Sequence, residues 1–310
     1  MTDPRTIETA DAEASSFMHE GMRLMQGGKD ARAALLCFDR ALELRRQFPT
    51  GTPAHAYGLA ACWLNRAEAL TSLGPAHYTA AFGAYEEALA LLHTLPTGED
   101  ARFPRRLAIA LQNRALLLAG QNPPAAEDAV AALADAIEVL NHAEAMERSD
   151  REFLLAMMWM NLANVQALED EAVSHRAAWR AAQRALELVK AQEHEDAAAA
   201  EVGLKARHVL CRIAAHRLSG AAERSEMMAD VHDATDFAEE GLGLVREWER
   251  RGIGRFRNLA SELLRFGALV YAEYQPQFLQ EFLGEHAAHR GNGDRQRGSE
   301  GEWVCFQAGL

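Results

Sequence analysis

Three asparagines recur at one spacing along the chain, and their side chains suit the recognition of another polypeptide. Asn65, Asn113 and Asn161 follow one another at steps of 113 − 65 = 48 and 161 − 113 = 48 residues. Asparagine is a poor residue for the middle of a helix, because its amide competes with the backbone for hydrogen bonds. The amide also offers donors and an acceptor, which the backbone of an extended peptide requires. The spacing therefore groups the three residues as one column, and the chemistry of their amides would suit the backbone of a peptide.

A second interpretation of this asparagine column is structural. Each amide could bond a neighbouring repeat and only set the spacing between repeats, since buried polar groups in proteins are almost always hydrogen-bonded. The two interpretations are compatible, and the sequence favours neither of them. Asn164 follows Asn161 by three residues and falls on the same helical stripe by the 3.6-residue period. We therefore include it with the column.

Two methionines lie close in sequence to Asn161, the third asparagine of the column. Met157 and Met160 lie within one helical turn of Asn161. Methionine adapts to irregular apolar partners, so we expect these two side chains to receive apolar groups of a ligand segment. The alternative is that each methionine is buried between helices, which is the commoner fate of a single methionine in a helical protein.

Towards the C-terminus, basic residues lie in and near the column where the earlier repeats have asparagines. Arg265 takes the asparagine position, and His208 and Arg212 share the same side of the preceding repeat. A guanidinium group forms strong, paired hydrogen bonds with carboxylates, so this basic stretch would suit the acidic end of a ligand. The alternative is an ordinary solvated face, balanced by acidic residues such as Glu262.

Signals for catalysis are weak. His208, Cys211 and His216 could approach one face of a helix, but Cys211 occupies a position that should face a second helix. The sequence has no HExxH motif, no glycine-rich phosphate loop and no nucleophile elbow. We therefore expect no enzyme activity, no catalytic residues, no metal site and no cofactor.

The elements that must position these residues are helices arranged in hairpins. Small residues mark a first helix in each repeat, at steps of 46, 48, 48, 48 and 56 residues: Gly21, Ala67, Ala115, Ala163, Cys211 and Gly267. A second series of small residues, beginning with Ala34 and Ala41, marks a second helix and shows the same longer last step. Small residues on two consecutive helices allow their close approach. A fixed period of this kind predicts a helical solenoid with one insertion near 219–230.

The repeats resemble those of the tetratricopeptide repeat (TPR) family. The run from Trp159 to Asn164 is similar to the first-helix consensus, and Ala34, Phe38 and Ala41 are similar to the second. The period of 48 residues is longer than the usual TPR unit of about 34 residues. The resemblance implies an all-α, right-handed superhelical solenoid of about six helical hairpins, whose first helices line a concave groove.

Composition and the two ends of the chain indicate its domain organisation, its partners and its location. We expect a disordered leader at 1–12, the solenoid at 13–288 and a disordered tail at 289–310. The net charge of −13 argues against nucleic acid or an anionic membrane as a partner. Four cysteines without metal-pair spacing and the lack of a signal-peptide pattern favour a reduced, cytoplasmic location.

The resemblance also implies a function. Members of the TPR family act as non-catalytic scaffolds or adaptors, so we expect the groove to receive a peptide or helical segment of another protein. The long repeats with a central asparagine are similar to those of kinesin light chains as well. The alternative is therefore a structural or cytoskeleton-associated subunit, which packs or self-associates through its convex second helices.

Overall fold

The computed structural model describes residues 4–26, 30–47, 51–169, 172–219 and 228–286. Within these ranges the chain forms twelve α-helices and one short 3-10 turn, with no strand. The predicted all-α class is therefore confirmed. The predicted tail at 289–310 and part of the predicted insertion lie outside the described residues.

The chain divides into two compact units, with the boundary between Glu147 and Arg148. The first unit contains six helices and a 3-10 turn at Pro75–His77: α1 (Pro4–Met25), α2 (Ala31–Arg46), α3 (Pro53–Ser72), α4 (Tyr78–Leu92), α5 (Arg102–Ala119) and α6 (Ala126–Asn141). The second unit contains the other six: α7 (Arg148–Gln166), α8 (Ala172–Val189), α9 (Ala197–Ser219), α10 (Met228–Arg250), α11 (Arg257–Tyr274) and α12 (Leu279–Glu285).

Within each unit the helices pack in chain order. In the first unit each helix contacts the next, and α3 also contacts both α1 and α5. In the second unit the same order holds from α7 to α12, and α9 also contacts both α7 and α11. The first helices of successive hairpins thus form a row of their own in each unit. Consecutive packing of this kind is compatible with an α-solenoid. No helix in the described part of the chain is long and apolar enough to cross a membrane.

The small residues of the first helices lie at helix–helix contacts, as their spacing predicted. A Cβ atom added to Gly21 of α1 would lie 2.4 Å from the ring of Phe38 on α2. A Cβ atom added to Gly267 of α11 would lie 2.9 Å from the Cβ atom of Ala238 on α10. The four intermediate members of the series are fully buried: Ala67, Ala115, Ala163 and Cys211. Close helix approach therefore explains why these positions carry small side chains.

Helix α1 begins at Pro4, so residues 4–12 are helical where the sequence suggested a disordered leader. Proline is well tolerated in the first turn of a helix, where its missing N–H would have no intrahelical partner. The long helix is held by Arg45 of α2, whose guanidinium donates to Asp11 Oδ1 at 2.9 Å and Ser15 Oγ at 3.2 Å. The same guanidinium donates to the Gly58 carbonyl of α3 at 2.7 Å. One arginine thereby joins three helices.

A buried ion pair holds the connection between α8 and α9 in the second unit. The guanidinium of Arg207 donates twice to Glu193, at 2.6 and 2.9 Å, and the two side chains are 2% and 3% exposed. A further bond of 3.0 Å reaches Glu240 of α10. The indole N–H of Trp248 donates to the Glu193 carbonyl at 3.0 Å. Gly203 leaves room for this network, since an added Cβ would lie 2.5 Å from the Glu193 carboxylate.

Candidate binding surface

In the first unit the two asparagines of the column make different hydrogen bonds. Asn65 on α3 is half-buried, and its Nδ2 donates to the carbonyl of Ala61 in its own helix at 2.8 Å. Asn113 on α5 is also half-buried, and its Nδ2 donates to Glu68 Oε1 on α3 at 2.9 Å. The bond between repeats that the structural interpretation predicts is therefore present at Asn113. Each amide still has a second N–H and an oxygen acceptor.

Asn113 belongs to a group of four half-buried polar residues, the α3–α5 polar strip: Tyr57, Glu68, Arg106 and Asn113. Arg106 donates to the Tyr57 hydroxyl at 3.0 Å, and its guanidinium lies 5.1 Å from the centre of that ring. Burial raises the pKa of Glu68 to about 7, against the opposing charge of Arg106 and the bond from Asn113. The strip thus offers an amide, a guanidinium, a phenol and a carboxyl group that takes up a proton near neutral pH.

In the second unit the equivalent amide is interior. Asn161 on α7 is 3% exposed, and its Nδ2 has no hydrogen-bond partner within the described residues. Met157 and Met160 are 0% and 1% exposed. Asn164 is half-buried, with Nδ2 3.0 Å from the Met160 sulfur. Helix α7 carries buried side chains on every side, as a core helix does. The structure thus places these three side chains inside the unit and not on an open surface, and their contact with a ligand stays a prediction.

The basic residues of the second unit differ in exposure. His208 on α9 is 2% exposed, and its pKa is lowered to about 3 by burial and by the charges of Arg212 and Arg265. Arg212 on α9 is half-buried, whereas Arg265 on α11 is exposed. Arg265 pairs with Glu262 at 2.8 Å and stacks 4.2 Å from the ring centre of Phe266. At neutral pH His208 is therefore uncharged, and the two arginines supply the positive charge that was predicted here.

Arg212 also lines a cavity of about 220 Å³ in the second unit. Its walls come from two consecutive helices and the segment that follows α7, and they include Arg212, Ile213 and His216 of α9, His175 of α8, and Leu168 and Glu169 after α7. The two imidazole rings meet edge to face, with centroids 4.9 Å apart. Glu169 accepts a hydrogen bond from Ser174 at 2.6 Å. His175 was not predicted from the sequence as a site residue, because nothing in its spacing connects α8 with the basic stretch on α9.

The chemistry of Cys211 does not suit a metal ligand. Its side chain is fully buried, and its thiol donates to the carbonyl of Ala234 at 3.3 Å. Burial raises the pKa of this thiol to about 12, so the sulfur stays protonated, whereas metals bind thiolates. Within the described residues no three His, Cys, Asp or Glu side chains are placed to hold a metal ion together.

A comparison of the chain with models of known protein families finds no match, and a comparison with curated proteins finds no similar protein. The fold defines the chain as an all-helical protein built from consecutively packed helices. The resemblance to the TPR family stays a prediction.

Proposed function

We propose that this chain is a non-catalytic scaffold or adaptor that binds a peptide or a helical segment of a partner protein. In this proposal its helices form about six TPR-like hairpins of a right-handed superhelix, and the row of first helices provides the binding groove. The proposed location is the cytoplasm, and the partner is a protein rather than nucleic acid or a membrane.

The observation that carries the proposal is the α3–α5 polar strip. Its four side chains come from two successive first helices, and all four keep part of their surface in contact with solvent. Asn113 and Glu68 are joined at 2.9 Å, so the polar groups of neighbouring repeats meet on one face of the unit. A face with an amide, a carboxyl and a guanidinium group can bond the backbone of an extended segment in either polarity.

The proposal gives the predicted residues two kinds of role. Asn65 and Asn113 contact the backbone of the partner segment, and Arg212 and Arg265 receive an acidic group. The buried members of the set lie in the second unit, where they would support the contacts of Arg212 and Arg265: Asn161, Met157, Met160 and His208. Asn164, half-buried on α7, belongs to this supporting group through its contact with Met160.

Partner capture from cell extract tests the proposal. The variant with Asn65→Ala and Asn113→Ala together should recover at least about tenfold less of the partner that the unchanged chain retains, which is a loss of 1.4 kcal/mol. Asn141→Ala is the matched control, because Asn141 is an exposed asparagine of the same unit that lies outside the column. Equal recovery by all three proteins would refute a role for the amides in binding.

A second candidate function is a structural subunit that packs through its second helices. The exposed apolar residues Leu36 on α2, at 71%, and Val173 on α8, at 65%, favour it, since both helices are second helices of their hairpins. Light scattering should then show self-association that Leu36→Glu or Val173→Glu abolishes. The paired Asn65 and Asn113 substitutions should leave that association unchanged.

A further inference from the structure

The cavity between the end of α7, α8 and α9 joins charged and apolar walls. Arg212 and the imidazoles of His175 and His216 provide the polar side, and Leu168 and Ile213 provide the apolar side. Ile213 is 1% exposed and forms an inner wall, whereas Leu168 is 47% exposed and lies at the rim. A ligand in this space would meet cationic and apolar groups at the same time.

The charges that line the cavity define which anion fits. Among the described residues that line the cavity, Arg212 alone carries a permanent positive charge, and Glu169 contributes a carboxyl that is already bonded to Ser174. A phosphate monoester carries about −1.5 to −2 charges at neutral pH, more than one guanidinium beside a carboxyl can balance. A carboxylate carries a single charge and matches the paired donors of a guanidinium. The lining therefore favours a carboxylate.

The size of the cavity limits the ligand further. Its volume is about 220 Å³. Sites for whole drug-sized molecules or cofactors have roughly 300–1,000 Å³. The cavity thus has room for one side chain or one terminal residue rather than for a complete cofactor.

We infer that this cavity binds a single carboxylate group on a short apolar stem, with Arg212 as its cation and Leu168 and Ile213 against the stem. The inference rests on the proposed function in one respect, because the partner segment would supply the carboxylate from its end or from an acidic side chain. It identifies the anchor of that segment, and it adds His175 of a second helix to a binding surface otherwise built from first helices.

Histidine-ring NMR of the full chain tests the inference with two small probes. Isobutyrate has one carboxylate on a branched apolar stem, and inorganic phosphate has the larger charge without a stem. Isobutyrate should shift the ring signals of His175 and His216 in a saturable way and bind at least about tenfold more tightly than phosphate, a difference of 1.4 kcal/mol. N-acetylvaline, which imitates the last residue of a peptide, should bind like isobutyrate.

Two substitutions test whether the carboxylate binds in the cavity. Arg212→Gln should weaken isobutyrate binding at least about tenfold, whereas Arg184→Gln should not, since Arg184 of α8 is exposed and paired with Glu187. Leu168→Glu, at an exposed rim position, should weaken binding without affecting folding, because it places a like charge at the entrance. This second variant keeps the test valid if Arg212→Gln does not fold.

The inference is overturned if isobutyrate causes no saturable shift, if phosphate binds as tightly, or if Leu168→Glu binds normally. Binding of isobutyrate without binding of N-acetylvaline supports the carboxylate site, overturns the end of a peptide as its source and assigns the carboxylate to an acidic side chain. Partner capture distinguishes the two proposals. If Arg212→Gln retains the partner while the paired Asn65 and Asn113 substitutions lose it, the cavity inference fails together with the role of Arg212 in partner binding, and binding of the partner through the amides stands.

Discussion

Asn113 in the first unit and Asn161 in the second occupy the same position of the repeat and have different surroundings. Asn113 is half-buried and donates to Glu68, whereas Asn161 is 3% exposed and its Nδ2 has no bond within the described residues. In sequence register, the residue that corresponds to Glu68 in the following repeat is Leu116, since 116 − 68 = 48, and leucine offers no acceptor. The 48-residue period determines where the amide lies on its helix. The neighbouring side chains determine which hydrogen bonds the amide forms.

Two arginines show the same contrast between the units. Arg45 is 10% exposed and pairs with Asp11, which is 57% exposed. Arg207 is 2% exposed and pairs with Glu193, which is 3% exposed. When a cation is removed, a carboxylate at the surface regains its hydration, but an enclosed carboxylate does not. The first unit therefore depends less on its arginine than the second.

The largest effect should come from substitution of these arginines. We expect Arg207→Met to lower the free energy of unfolding of the second unit by about 3–5 kcal/mol, because Glu193 stays buried without its cation. Arg45→Met should lower that of the first unit by about 1–2 kcal/mol, because its bonds are lost but Asp11 is rehydrated. Urea unfolding of each variant measures the two losses, and equal values would contradict the contrast.

The pH dependence of the first unit provides the next largest effect. Burial raises the pKa of Glu68 from 4.5 to about 7, so between these values the folded chain binds more protons than the unfolded chain at this residue. Its contribution to stability is therefore largest below pH 4.5 and falls as the pH rises to about 7. The total loss should be on the order of 1–3 kcal/mol, after allowance for the partial exposure of the side chain.

Glu68→Gln tests this pH dependence, because glutamine keeps an acceptor for Asn113 and does not titrate. The difference in stability between the variant and the unchanged chain should shift in favour of the variant as the pH rises from 4.5 to 7. Thermal unfolding across that range measures the shift. A difference that stays constant with pH would show that the carboxyl group titrates at its ordinary pKa.

Substitution of Asn113 or Asn161 by leucine tests the comparison of these two residues directly. Asn113→Leu should lower stability by about 1–2 kcal/mol, since it removes a bond to the half-buried carboxyl group of Glu68. Asn161→Leu should raise it by about 1 kcal/mol, since it replaces a buried donor that has no partner among the described residues with an apolar group of similar size. Chemical unfolding distinguishes the signs. Destabilisation by Asn161→Leu would indicate that a bound water or ligand satisfies that amide.

The smallest effect should come from the exposed ion pair of Arg265 with Glu262. Both side chains contact solvent, at 60% and 45% exposure, so Arg265→Gln should change stability by less than about 0.5 kcal/mol. The same substitution should still weaken the binding of an acidic partner. A loss of stability comparable with that of Arg207→Met would mean that Arg265 has a structural role.

The helical class and the close helix contacts were predictable because they depend on local patterns. The recurrence of small residues predicted the packing of Gly21 against Phe38 without any knowledge of the tertiary structure. The buried pair of Arg207 and Glu193 was not recognised, because a charged residue in a helix is usually solvated. Gly203, a glycine within α9, was the available signal, since a glycine in a helix interior often marks a close approach.

The exposure of the candidate binding residues depends on packing that the period does not describe. Met157 and Met160 share a helix with apolar residues on all sides, so no single stripe of α7 identifies an outer face. His175 reaches the cavity from a second helix, although its position in sequence suggests only an ordinary turn of α8. Residues far apart in sequence thus determine which predicted contacts are accessible.

The connection between α8 and α9 has one consequence for the handling of the protein. Its carbonyl groups at Glu193 and His194 accept hydrogen bonds from the indole of Trp248 and the guanidinium of Arg251. A protease must draw a segment into an extended form before it can cut, and here that step would break both bonds. An endoprotease specific for glutamate should therefore leave Glu193 intact in the native chain, and cleavage after this residue would report that the α8–α9 connection has opened.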